Sequence, residues 1–113
     1  MSLATQILIW ILFFATTVYG HAGFKQAFHS GATTVWQCLF SVWGITATLA
    51  WCASALLWIA ILSRSTLIAA HTSSALSQVL VAATAMLWFG ERVSTAQGIG
   101  VVLVVTGVYL VNR

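Results

Sequence analysis

VWQCLFSVWGITATLAWCASALLWIAIL, the stretch from Val35 to Leu62, carries no charged side chain. It exceeds the roughly 20 apolar residues that a helix needs to cross a bilayer core. From Ala47 to Leu62 its residues do not alternate polar with apolar, and neither do those from Gly98 to Val111. Strands of a membrane barrel require that alternation, so the stretch reads as helix. Three more apolar runs surround it: about residues 3–24, 66–89 and 95–111. With 35–62 they occupy nearly all of the 113 residues.

The charges separate these runs. Glu91 is the only acidic residue, and Lys25, Arg64, Arg92 and Arg113 are the only basic ones apart from histidine. Soluble domains carry about a quarter charged residues, whereas this chain has 4%, with 61% hydrophobic residues and no proline. Such a chain cannot clothe itself in a water-facing surface. It reads as a single all-α membrane domain, residues 1–113, with four transmembrane helices. The connections at Ser30–Thr34, Ser63–Ser65 and Gly90–Ser94 are short. Short connections make neighbouring helices antiparallel, in an up-down-up-down bundle.

The start, MSLATQILIW, has no basic region ahead of its apolar run, so a cleaved leader is not expected. Lys25 and Arg92 fall on one side of the expected topology, Arg64 and Arg113 on the other. That balance leaves orientation open, because loop Lys and Arg normally set it. Either other factors orient the chain, or copies insert both ways and pair antiparallel. Four scattered cations do not make a nucleic-acid surface. Cys38 and Cys52 are fourteen residues apart in one run; on a straight helix that is about 21 Å of rise, beyond disulfide reach. No Cys/His spacing suggests a metal, and nothing implies a cofactor.

Three polar features stand out. His21 and Lys25 share a face four residues apart; they read either as an interface anchor or as a site for a phosphate. His71, Ser74 and Gln78 form a stripe on the third run, with Ser77 beside it. A polar stripe must face other helices or an aqueous path rather than lipid. Gly100 and Gly107 lie two turns apart and read as a dimerisation or packing seam. Trp43, Trp51 and Trp58 repeat on one stripe, either against lipid and neighbouring helices or around a ligand. Ser94 or Thr95 is placed to cap the fourth helix. There is no nucleophile–base pair, carboxylate pair or phosphate-cradling glycine loop, so enzymatic chemistry is not expected.

The segment Leu57–Asn112, LWIAILSRSTLIAAHTSSALSQVLVAATAMLWFGERVSTAQGIGVVLVVTGVYLVN, resembles the drug/metabolite transporter superfamily. FGERVS and the glycine-spaced GIGVVLVVTGVYLV carry the likeness, together with GHAGFKQA from Gly20 to Ala27. The resemblance implies a four-helix unit equivalent to half of a ten-helix transporter fold, in the bacterial inner membrane.

Small multidrug resistance exporters of that superfamily place an essential glutamate eight residues before the first-helix lysine. Thr17 stands there in this chain, and the aromatic-cage positions fall near Ala70 and Ser73. The likeness is stronger to the paired subunits that flip aminoarabinose-phosphoundecaprenol, which share the sequence Lys25-Gln26-Ala27 and the acidic turn at Glu91. It implies a homodimer, or a heterodimer with a related four-helix subunit, handling an anionic lipid-linked substrate. Lys25 and His21 would meet the phosphate, and His71, Ser74, Ser77 and Gln78 would line the path. A non-transporting subunit of a larger membrane complex and a divergent drug exporter are the other expectations.

Overall fold

A computed structural model describes residues 2–113, and among these all regular structure is helical. The helices are α1 (Leu3–His29), α2 (Val35–Phe40), α3 (Val42–Leu62), α4 (Leu67–Ser74), α5 (Leu76–Trp88) and α6 (Thr95–Val111). Leu3–His29, Val42–Leu62 and the joined stretch Leu67–Trp88 are each long and apolar enough to cross a membrane. The 17 residues of α6 give about 25 Å of helix, at the short end of spanning length. The membrane character expected from composition is therefore matched by helix length.

Hydroxyl side chains start most of these helices. Ser2, Thr34, Thr66 and Ser94 each accept a backbone N–H from the first turn that follows, which would otherwise lack a partner. The α6 start is a full capping box: Gln97 N donates to Ser94 Oγ at 3.1 Å, and Ser94 N donates to Gln97 Oε1 at 2.9 Å. Of the two cap candidates, Ser94 is the one used. At the other end of α1, Gly31 adopts a φ of +115°. Its N–H reaches Phe28 O and that of Ala32 reaches Ala27 O, the paired bonds that close a helix with a glycine.

Two expected helices are interrupted. The run 35–62 breaks at Ser41, whose ψ of 161° is extended. Ser41 Oγ donates to Cys38 O at 2.8 Å and accepts Gly44 N–H at 3.0 Å. These local bonds substitute for the helical ladder. The close approach needs glycine: a Cβ at Gly44 would overlap the Cys38 carbonyl. The run 66–89 divides at Ala75, where Ala75 N bonds Thr72 O and Gln78 N bonds Ala75 O, both at 3.0 Å. This tightened turn sits beside Ser74, whose hydroxyl donates to His71 O at 2.6 Å. The first helix also runs past residue 24 to His29.

The chain forms two compact units, one ending at Ala60 and the other beginning at Ile61. In the first, α1 and α3 meet along a ladder. Phe13 stacks on Trp58, Thr17 bonds Ser54, Trp51 lies against Gly20, and Ala47 meets Gly23. Later residues of α1 meet earlier residues of α3, so these two helices run in opposite senses. Ala47 is fully buried there, and small residues on both sides permit the approach. In the second unit α6 packs on both α4 and α5. Asn112 Nδ2 donates to Ser73 Oγ at 2.7 Å, tying the end of α6 to α4.

Candidate functional site

In the first unit, His21 and Lys25 both lie exposed on α1. His21 stands edge-on to the Trp51 ring, centroids 5.2 Å apart, and Phe24 approaches the same indole at 4.9 Å. Trp51 Nε1 donates to Thr17 O at 3.4 Å, a long bond that aims the indole along α1. The helix thus presents an aromatic flank with an imidazole at its edge and an ammonium one turn on. Of the tryptophan stripe, Trp51 and Trp58 pack against α1.

Two turns earlier, Thr17 Oγ1 and Ser54 Oγ share a hydrogen bond of 2.6 Å. Ser54 is buried, 8% exposed. The pair is neutral, and each hydroxyl satisfies the other in a place where an unpaired polar group is costly. Tyr19 OH and Thr46 Oγ1 make a second hydroxyl pair at 2.7 Å on the flank of the same seam.

In the second unit, the stripe on the third run does not converge on one place. His71 lines a shallow groove with Leu67, Ile68 and Thr72. Ser74 spends its proton on the His71 carbonyl, within its own helix, and Ser77 is half-buried. Gln78 instead lines a larger cavity of about 720 Å³ between α5 and α6. Its walls are Val79 and Ala82 from α5 and Gly100, Val101 and Val104 from α6. Glu91, Arg92, Val93 and Gln97 complete the lining at the end formed by the connecting turn. The volume is in the range of small-molecule pockets.

Glu91 and Arg92 read from the sequence as turn residues, yet they put the sequence's only acidic side chain and a guanidinium on one cavity. The turn itself is shaped by Gly90, whose φ of +67° lets the Glu91 amide return to Ala85 O at 3.1 Å. Gln97 is the site residue missed altogether. Its signal was present in the Ser94-x-x-Gln97 spacing, which predicts a capping box and hence the side chain's position. Gly100 lines the same cavity, while Gly107 does not. A Cβ at either would meet no atom of this chain within 4 Å.

Compared with protein-family models, curated proteins and solved structures, the chain gives no match.

Proposed function

We propose that the chain is a multi-pass transporter or flippase subunit of the drug/metabolite transporter type, handling an amphipathic, anionic, lipid-phosphate-linked substrate. In this reading its helices form four antiparallel spans, α2 continuing into α3 and α4 into α5, in a bacterial inner membrane. The subunit works as a homodimer, or beside a related subunit. The observation that carries it is the neutral Thr17–Ser54 hydroxyl pair at 2.6 Å. A proton-coupled exporter of cations needs a titratable carboxylate at that level of the first helix; this one holds a closed pair of alcohols. Eight residues on, exposed Lys25 is suited to an anion, since an ammonium at the interface attracts a lipid phosphate. His21 supplies a second donor on the same face.

The test is flux in liposomes containing a polyprenyl-phosphate sugar with a reporter on the sugar. The protein is expected to speed movement between leaflets, and Lys25→Ala to reduce that rate at least about tenfold, the loss of one charge-assisted contact. Unchanged flux in Lys25→Ala removes the anion site from the proposal.

The glycines of α6, where an added Cβ would meet no atom of this chain within 4 Å, favour a second reading, an accessory subunit packed onto a larger membrane complex. Copurification with one partner at fixed stoichiometry, without flux, would select it.

A further inference from the structure

The cavity between α5 and α6 has a polarity pattern that the proposed anion site on α1 does not use. At the turn it is bounded by a carboxylate, Glu91, and a guanidinium, Arg92, with the Gln97 amide one helical turn into α6. Along its length it is bounded by Val79, Ala82, Val101 and Val104. Glu91 and Arg92 are both exposed in the connecting turn, where each charge can meet a ligand. A simple anion would be attracted by Arg92 and repelled by Glu91, and a simple cation the reverse. Only a head bearing both signs satisfies the two together. The turn between two membrane helices lies where headgroups lie, and the apolar walls continue from it along the helices.

We infer that this cavity binds a zwitterionic membrane lipid with a primary-amine phosphate head. Arg92 takes the phosphate, Glu91 the ammonium, Gln97 donates a further hydrogen bond to the phosphate oxygens, and the valine walls receive the start of an acyl chain. Gly100 keeps the space open: a Cβ there would meet no atom within 4 Å, so a larger side chain can grow into the cavity without disturbing the backbone. The inference stands apart from the transport reading, because it concerns α5 and α6 and requires no flux.

The experiment offers the purified chain, in maltoside micelles, equal amounts of dihexanoyl phosphatidylethanolamine and dihexanoyl phosphatidylglycerol. Retained lipid is counted by native mass spectrometry. The two lipids share chains and phosphate and differ in the amine. The protein is expected to retain the ethanolamine lipid roughly tenfold better, the discrimination expected when a carboxylate attracts an amine in one head and repels the other. Glu91→Gln is expected to bring the ratio to about one, because the amide no longer distinguishes the heads. Arg92→Gln should weaken both lipids, and Gly100→Leu should reduce retention to background. Circular dichroism checks that each variant keeps its helix; should Gly100→Leu lose it, Glu91→Gln carries the test alone. Soluble O-phosphoethanolamine is the arm without chains and is expected to compete poorly. Equal retention of the two lipids by the unaltered protein overturns the inference. So does a preference that survives Glu91→Gln, retention unaffected by Gly100→Leu in the folded state, or full competition by the chainless head.

Discussion

Gly44 and Thr17 show how single residues control this chain. A methyl group at Gly44 would occupy the position of the Cys38 carbonyl, and backbone cannot yield as a flexible side chain can. Gly44→Ala should therefore destabilise the first unit by about 1–3 kcal/mol, the usual range for overpacking. Unfolding in mixed micelles measures it, and an unchanged midpoint would refute the close approach. The 2.6 Å Thr17–Ser54 bond should be weaker in effect. A double-mutant cycle of Thr17→Val and Ser54→Ala is expected to give a coupling of about 0.6 kcal/mol and no more than about 1.7, as for side-chain hydrogen bonds between membrane helices. Zero coupling would mean that the pair contributes nothing. Neither contact is visible in a linear text. A glycine at 44 and a threonine at 17 are ordinary until the residues opposite them, 37 positions away in the case of Ser54, are known. The shared face of His21 and Lys25 was legible, because four residues of helix spacing suffice to predict it.

Two of the apolar runs do not form unbroken helices, and α1 extends to His29. Ser41 carries hydrogen-bonding groups that compete with the ladder, and Gly44 leaves room for the chain to turn back on itself. Hydropathy is blind to such a break, since both sides of it are equally apolar. The interruption at Ala75 splits the polar stripe, so that His71 and Gln78 line different concavities. The start of α6 is the opposite case, a signal in sequence realised in structure. Ser94→Ala removes one half of the capping box and should cost about 1 kcal/mol of stability. Gln97→Ala combined with it should cost less than the sum of the single changes, because the two side chains cap each other's backbone. Strict additivity, read from thermal unfolding followed by circular dichroism, would argue against the reciprocal cap.

For the molecule in its bilayer, the cysteines provide a test of membrane placement. Cys38 is buried, with its thiol donating to Phe24 O at 3.7 Å, whereas Cys52 is exposed near the middle of α3. If α3 spans the membrane, Cys52 faces hydrocarbon, which a charged reagent does not reach. In vesicles opened so that both faces are accessible, a charged methanethiosulfonate should therefore label neither cysteine, while Ser65→Cys, in the connection before α4, should be labelled. Reaction of Cys52 from the aqueous phase would place α3 outside the membrane. Lipid as solvent could be read from composition alone, because transfer into hydrocarbon is nearly additive over residues and needs no knowledge of neighbours. So could the small set of polar groups from which any function must be built. Which of those groups neutralise one another, and which line a cavity, depended on distances across the folded chain. Thr17 met Ser54, whereas Glu91 and Arg92 opened onto the space kept by Gly100. Hydrogen bonds and clefts arise from residues far apart in sequence, so tertiary packing alone assigned them.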